Sequence, residues 1–436
     1  MPRGDPSPGS PVRTVPGGQR AMTTAAAPTT PRTRSTALDW VRGVALVLVV
    51  LSHMWALWSI EALAGVPPLL HLLQSGNIAV TVFLVVAGFL LTRSLIGRDG
   101  TRADDEGRVG TIAAERPALA VLSRVVRISS QTWPLLLLVW FTTLAEGAGE
   151  VVETQTERSV LWVTTFGWNV YLQTEALLAR ADLGHLWYTA VYVQVTLVLV
   201  VLVRGLRHRR VVLALTLGGL LLACTAWRAH VADVEPLTTA LLRTTTRMDG
   251  MLWGALAAVC WPWLRPVRSV AGTVVSYALT LFAALVLLLG NSGAYLGWGG
   301  VAANLAVVAV VVAAPGLPPE GRLSRALGWR PLVVLGRYSL AVYVWHYPIF
   351  FGVGQRLPTW PAPAKAALAL ALLAAAVVLT VRYVERPVEA WVQRRLGARP
   401  ADREELAALP LVPEPALSPA GAAAGPATAP SAPSRP

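Results

Sequence analysis

Near its N-terminus the chain reads Leu38-Asp39-Trp40-Val41-Arg42-Gly43, and this polar start leads directly into an apolar stretch that carries His53. The apolar residues continue to about position 60, close to the roughly 20 residues that an α-helix needs to cross a membrane. At about 1.5 Å per residue, His53 would lie about 16 Å beyond Arg42 along that helix. The stretch therefore predicts a membrane helix with charged residues at one end and an imidazole deep inside.

The rest of the chain repeats this apolar character. Of its 436 residues, 54% are hydrophobic and only 14% are charged, whereas a soluble domain carries about 25% charged residues. The apolar runs do not alternate with polar residues as the strands of a membrane barrel would. The sequence therefore predicts an all-α, polytopic membrane bundle of about ten transmembrane helices.

The ten expected spans are residues 43–60, 77–95, 133–145, 185–203, 211–227, 237–264, 270–290, 298–314, 332–351 and 364–383. Residues 160–175 are aromatic and half polar. They predict an interfacial or re-entrant helix rather than an eleventh crossing. An eleventh crossing would also place the arginine-rich loops on both sides of the membrane.

Basic residues indicate how this bundle is oriented. The net charge of +13 does not indicate nucleic-acid binding, because the arginines gather in short loops after alternate spans, as the positive-inside rule requires. This pattern places both termini in the cytoplasm. Residues 1–36 and 396–436 are rich in proline and predict disordered cytoplasmic tails around a transmembrane domain of residues 37–395. Richness in Ala, Pro, Gly and Arg is typical of a GC-rich bacterium, so we expect a multi-pass protein of a bacterial plasma membrane.

Two pairs of residues are candidates for chemistry near the start of the bundle. An ionisable group at the depth of His53 is costly unless it faces a polar cavity, and a neutral imidazole can accept a proton near neutral pH. The alternatives are a structural histidine and, for Arg42, an arginine that reaches the membrane surface. Arg124 and Arg127 share a helix face and could bind phosphates bidentately, or they could be ordinary positive-inside charge.

Two further groups lie in the second half of the chain. Arg247 and Asp249 interrupt an apolar run and do not face each other on a helix, so each needs another partner. A polar cavity between spans or an interhelical salt bridge would supply one. Ser339, Tyr343 and His346 fall on one helical stripe, which indicates either a polar wall or a hydrogen-bonded seam between helices.

Several familiar motifs are absent from the sequence. It contains no P-loop, no dinucleotide-binding glycine pattern, no HExxH zinc motif and no GxSxG elbow. The two cysteines, Cys224 and Cys260, have no zinc spacing. We therefore expect no metal and no permanently bound cofactor.

Taken together, these residues resemble the integral-membrane acyltransferase 3 family, whose members transfer acyl groups from acyl-CoA to sugars and related acceptors. Leu38-Asp39, Arg42-Gly43 and His53 match the signature of its first helix. Other motifs match in the family's order at Arg124-x-x-Arg127, His185-Leu186-Trp187, Arg247-Met248-Asp249, Gly336–Pro348 and Glu385-Arg386-Pro387. The resemblance covers about residues 37 to 395.

Two positions depart from the family pattern. Ala87 stands where relatives usually carry a serine before the glycine, and Tyr192 stands where many carry a glutamate. No role of that glutamate is transferred to this chain. Relatives sometimes carry a fused extracytoplasmic hydrolase-like domain. Because the tail predicted here is short, we expect the chain to act alone or with a separate extracytoplasmic partner protein.

The resemblance implies a membrane-embedded O-acyltransferase. We expect His53 and Arg42 to be catalytic, with His53 as the general base for an acceptor hydroxyl. Arg124 and Arg127, with Arg42, would hold the phosphates of acyl-CoA, which is a co-substrate. Arg247 and Asp249 would bind the acceptor.

The partners implied are acyl-CoA, a carbohydrate or glycosylated acceptor and membrane lipid, with acetyl as the expected acyl group. A non-enzymatic transporter or flippase of a polar or lipid-linked substrate is the main alternative, since intramembrane Arg, Asp and His residues would serve transport equally well. A membrane scaffold with a degenerate site is the second alternative. The sequence does not identify the acceptor.

Overall fold

The computed structural model describes residues 35–58, 65–96, 117–290 and 293–395. Of the predicted tails, 1–36 and 396–436, residues 1–34 and 396–436 lie outside this part, as does most of the loop before Arg124, whereas Thr36 already begins a helix. The described residues are largely α-helical and form no strand. The expectation of an all-α fold is therefore confirmed.

The helices of the first half are α1 (Thr36–Ser52), α2 (Pro67–Leu73), α3 (Gly76–Ile96), α4 (Pro117–Ala145), α5 (Glu150–Thr164), α6 (Trp168–Thr174), α7 (Trp187–Leu206) and α8 (Arg210–Val234). Those of the second half are α9 (Leu237–Leu242), α10 (Thr244–Arg247), α11 (Asp249–Val259), α12 (Ala271–Leu289), α13 (Trp298–Ala313), α14 (Arg322–Leu327), α15 (Arg330–Arg337), α16 (Ser339–Arg356), α17 (Ala362–Thr380) and α18 (Arg386–Arg395). Short 3₁₀ turns lie at Met54–Ala56, Ala176–Leu178, Ala181–Leu186, Arg265–Val270, Gly293–Tyr295 and Ala314–Gly316, and a π-helical turn at Val381–Glu385 joins α17 to α18.

Eight segments of the described chain are long and apolar enough to cross a membrane: Thr36–Ala56, Gly76–Ile96, Val121–Ala145, Ala181–Leu206, Arg210–Val234, Arg265–Leu289, Trp298–Gly316 and Ala362–Val392. The protein is therefore a multi-pass membrane protein. The two remaining predicted spans, 237–264 and 332–351, are the ones that the structure interrupts.

Residues 237–264, predicted as one span interrupted by charged residues, do not form a single helix. The chain forms three short helices there, α9 to α11, and Arg243 between the first two has extended backbone angles. The interruption follows from the charges in this run, since Arg243 pairs with Glu235 (2.5 Å) and Thr244 donates a hydrogen bond to Gln194. The break places Arg247 and Asp249 at helix ends, where they can reach different partners.

Three other boundaries differ from the prediction. The third span extends back to Pro117, so Arg124 and Arg127 lie within α4. The span at 332–351 is divided at Tyr338 into α15 and α16. The half-polar segment forms α5 and α6, of 15 and 7 residues, both shorter than the roughly 20 residues of a crossing.

Glycines allow the helices around the site to approach closely. A side chain at Gly88 or Gly254 would overlap the backbone of the facing helix, because α3 and α11 pack against each other there. Gly43 and Gly336 play the same part between α1 and α15. Small residues are the usual means of close packing between membrane helices. These contacts fix α1, α3 and α11 in one unit, against which α7 and α16 also pack.

Candidate active site

The three arginines predicted to bind phosphate line one cavity. Arg42 reaches it from α1, and Arg124 and Arg127 reach it from the same face of α4. The wall opposite these charges is mostly apolar and includes Val86, Ala87 and Leu90 of α3. The cavity therefore combines cationic groups with apolar walls and can hold a ligand that has both an anionic and an apolar part.

Carboxylates hold two of these arginines in place. Asp39 is fully buried, and its Oδ1 lies 3.5 Å from Nη1 of Arg42. Glu385, which closes the π-helical turn, has its Oε1 3.3 Å from Nε of Arg127. Gln131 donates a hydrogen bond of 2.5 Å to the other Glu385 oxygen. Both guanidinium groups are thus oriented by neighbouring acidic residues.

Aromatic rings form another part of the cavity lining. Tyr188 lies 6.3 Å from Phe83 and 6.1 Å from Tyr192, measured between ring centroids, and all three line the cavity. On its far side Tyr188 contacts Tyr343, at 5.3 Å. Tyr343 in turn contacts His185 and His346. One layer of aromatic rings therefore stands between the cavity and a group of histidines.

That group, here called the histidine cluster, consists of His53, His185 and His346. The ring centroids are 4.9 Å apart for His53 and His346, 5.3 Å for His185 and His346, and 6.4 Å for His53 and His185. His185 and His346 are buried, while His53 is partly exposed. Tyr347 contacts His53 at 4.8 Å. The cluster is a polar centre within an apolar bundle, and His53 is its accessible member.

Backbone carbonyls determine where the imidazole protons lie. In each histidine one ring nitrogen faces a carbonyl oxygen: His53 Nδ1 faces Val49 (2.8 Å), His185 Nε2 faces Val344 (3.1 Å) and His346 Nδ1 faces Tyr343 (2.7 Å). A carbonyl oxygen only accepts, so each of these nitrogens carries the hydrogen of a neutral imidazole. The second nitrogen of each ring then carries a lone pair, and that of His346, Nε2, lies 3.3 Å from His53 Nδ1. For His53 that nitrogen is Nε2.

Sequence reasoning identified only part of this cluster. It singled out His53, described His346 as part of a polar wall or a seam, and named His185 through the family resemblance alone. The helical stripe of Tyr343 and His346 on α16 was the sequence feature from which the role of His346 in a polar site could have been predicted. What the sequence did not contain was the packing of α16 against α1, which brings together two histidines that are 293 positions apart.

Arg247 and Asp249 lie in separate environments. Asp249 is buried and pairs with Arg228, and it accepts a hydrogen bond of 2.7 Å from Asn304. Arg247 is fully buried and donates to the carbonyl of Asn77 at 3.0 Å. Its guanidinium also stacks on Tyr295 and Trp187, at 4.7 and 5.3 Å from the ring centroids.

The remaining nitrogens of Arg247, Nε and Nη1, have no hydrogen-bond partner within the described part of the chain. A buried, incompletely paired cation is costly in an apolar bundle. Of the two residues predicted to bind the acceptor, Arg247 therefore has hydrogen-bond donors available for a ligand. Asp249 instead bonds to two protein side chains, those of Arg228 and Asn304.

The histidine cluster does not have the geometry of a metal centre. Within residues 35–58, 65–96, 117–290 and 293–395, no group of three or more His, Cys, Asp or Glu side chains could hold a metal ion. The three rings instead contact one another edge to face and bond to the backbone. Proton transfer is the chemistry that this arrangement supports.

Comparison with known proteins bears on both the fold and the site. A family model described as an acyltransferase domain matches residues 35–382. The peptidoglycan O-acetyltransferase OatA of Listeria monocytogenes is 25% identical over 372 residues, which are 80% of this chain and 55% of the relative. The O-acetyltransferase OatA of Staphylococcus aureus is 22% identical over 370 residues, which are 80% of this chain and 56% of the relative.

A third relative, from Komagataeibacter xylinus, is 27% identical over 328 residues, which are 73% of this chain and 73% of the relative. Its name describes a membrane-bound transacylase. The chain thus spans just over half the length of the two OatA proteins. No solved structure matches it.

Proposed function

The chain belongs to this membrane acyltransferase family, and from that premise we propose that it moves an acyl group from acyl-CoA to a hydroxyl of a carbohydrate or glycosylated acceptor. One observation carries the proposal: the cavity lined by Arg42, Arg124 and Arg127 reaches to within one aromatic layer of the histidine cluster. This arrangement supports a phosphate-bearing donor at the arginines and a base at the histidine cluster.

The donor end fits the phosphates of coenzyme A. Guanidinium groups bind phosphate oxygens through paired, charge-assisted hydrogen bonds, and Arg124 and Arg127 present two of them from one helix face. Arg42 lies on the same cavity and on the same helix as His53, about 16 Å before it at the rise of an α-helix. The slender, largely uncharged pantetheine arm of acyl-CoA suits the apolar part of the cavity lining, Val86, Ala87 and Leu90.

The acceptor end fits general-base catalysis. His53 Nε2 takes the proton of the acceptor hydroxyl while the hydroxyl oxygen attacks the thioester carbonyl. The new carbon–oxygen bond forms, the carbon–sulfur bond breaks, and the proton passes from His53 to the coenzyme A sulfur. Arg247 is the residue we assign to the acceptor, because two of its buried donors are unpaired. Asp249 supports that region through Arg228 and Asn304.

The names of the relatives support the finer assignments. Two are O-acetyltransferases and one of these acts on peptidoglycan, so we propose acetyl as the acyl group, an envelope glycan as the acceptor and the bacterial plasma membrane as the location. The transporter alternative gains no support from relatives whose names describe transferases. A separate extracytoplasmic partner stays a prediction.

The experiment separates binding from chemistry in purified protein reconstituted into liposomes. His53→Ala should lower transfer of labelled acetyl from acetyl-CoA to glycan fragments by at least about 100-fold, since a positioned base contributes roughly that much. Acetyl-CoA binding by the same variant should stay at the wild-type level. Full transfer by His53→Ala would remove the base from the mechanism.

The Arg124→Ala, Arg127→Ala double variant tests donor binding separately from the chemical step. It should lose acetyl-CoA affinity while its histidine cluster stays intact. Arg325→Ala is the matched control, because Arg325 is an exposed arginine of α14 that does not line the cavity. Binding that is unchanged in the double variant would contradict the phosphate-binding role.

A further inference from the structure

His346 is the closest side chain of the histidine cluster to the proposed base. It lies on α16 with no solvent exposure, and its Nε2 is 3.3 Å from Nδ1 of His53. The rings meet edge to face, with an angle of 75° between their planes. This is the geometry of a hydrogen bond between two imidazoles rather than of simple packing.

The direction of that hydrogen bond follows from the backbone. His346 Nδ1 faces two carbonyl oxygens, of Tyr343 (2.7 Å) and Val342 (3.2 Å), so it carries the ring hydrogen and Nε2 is the acceptor. His53 Nδ1 faces the carbonyl of Val49 and therefore carries its own hydrogen. The Nδ1–H of His53 is thus shared between the Val49 carbonyl and the His346 imidazole, and Nε2 of His53 is left to receive a proton.

We propose that His346 is a positioning residue for His53. It fixes the tautomer in which Nε2 is the base, and it accepts a hydrogen bond that strengthens when Nε2 is protonated and the ring becomes positively charged. In hydrolases a carboxylate holds a histidine in this way, whereas here the partner is a neutral imidazole. The inference rests on the proposed function, because it needs His53 to act as the base.

The surroundings of His346 keep it in place. Tyr343, one turn earlier on α16, donates its hydroxyl hydrogen to the carbonyl of His185. His185 Nε2 donates to the carbonyl of Val344. These two bonds join α16 to the turn before α7. The other titratable groups whose rings contact His346 are His185, Tyr343 and Tyr347.

Two substitutions test the role. His346→Leu removes the acceptor, and His346→Gln offers an amide oxygen in its place. A hydrogen bond to a charged group corresponds to roughly a 10- to 100-fold change in rate. We expect a loss of that size in kcat for His346→Leu, an unchanged KM for acetyl-CoA, and partial recovery of kcat in His346→Gln. His71→Leu is the matched control, since His71 also bonds to a backbone carbonyl, that of Leu287, but lies outside the cluster.

A double-variant cycle distinguishes this inference from the proposed function itself. If His346 acts through His53, adding His346→Leu to His53→Ala should cause no further loss. An additive loss in that background, a wild-type kcat in His346→Leu, or a folded His346→Gln no better than His346→Leu would each overturn the positioning role. Absence of acetyl transfer by the wild-type protein would instead overturn the proposed function.

Discussion

Asp249 forms a buried ion pair with Arg228, and Arg228 has few other hydrogen-bond acceptors. Arg228 has no solvent exposure, and besides Asp249 it donates to the carbonyl of Gly297 at 3.1 Å. Arg247, a second buried guanidinium, lies two residues from Asp249. Neutralising Asp249 would leave the buried Arg228 without its carboxylate partner. We therefore infer that Asp249 contributes mainly to the stability of the fold and only indirectly to ligand binding.

We accordingly expect Asp249→Asn to destabilise the folded protein by about 3–5 kcal/mol, as is usual when one partner of a buried ion pair is removed. The measurement is the thermal midpoint of the detergent-solubilised protein, followed by size-exclusion chromatography. Glu146→Gln is the comparison, because Glu146 pairs with Arg356 and both side chains are more than half exposed. More exposed pairs contribute roughly 0–1 kcal/mol. An equal, small shift in both variants would contradict the structural role of Asp249.

At the scale of elements, the interface between α3 and α11 determines how the cavity is built. Gly254 of α11 lies against the backbone of Val85 and Phe89, and Gly88 of α3 lies against Met251. The next residues along α3, Val86 and Ala87, line the cavity. A change in the spacing of these two helices would therefore move one wall of the donor path.

Gly254→Leu should disrupt this interface. The added side chain meets backbone atoms that cannot rotate away, and overpacking of a tight interface costs typically about 1–3 kcal/mol or more. We expect reduced yield of monodisperse protein and weaker acetyl-CoA binding. Gly218→Leu in α8 is the control, since a Cβ at Gly218 meets no atom within 4 Å. If both variants behave like the wild type, α3 and α11 do not need this close approach.

The elements also show what could be predicted from sequence and why the rest could not. Long apolar runs such as Gly76–Ile96 were predictable, because burial of about 20 apolar residues in lipid dictates a helix whatever its neighbours. The break at Arg243 was predictable only in part, because charged residues interrupt the apolar run but the bond from Thr244 to Gln194 comes from a distant segment. The same applies to the site: His53 was marked by its isolation in an apolar run, but its contact with His346 depends on tertiary packing.

For the whole molecule, function depends on which side of the membrane each end of the path faces. Arginine-rich loops follow alternate spans, and the positive-inside rule therefore predicts that Arg124 and Arg127 face the cytoplasm while His53 lies towards the opposite face. Acyl-CoA is a cytoplasmic metabolite and envelope glycans lie outside the plasma membrane. Under the proposed function, this orientation would give acyl-CoA access at the arginine end and a glycan acceptor access at the His53 end, with Tyr188 and Tyr343 between them.

Single cysteines introduced on the two sides test this orientation. Leu177 is 96% exposed in the segment between α6 and α7, and Glu320 is exposed before α14. In a Cys260→Ser background, with Cys224 buried, a membrane-impermeant maleimide should label Leu177→Cys in intact cells. It should label Glu320→Cys only in inside-out vesicles, and the background protein should stay unlabelled in both. The reverse pattern would place Arg124 and Arg127 outside the cell, where acyl-CoA does not occur, and would contradict the donor path even if the fold were unchanged.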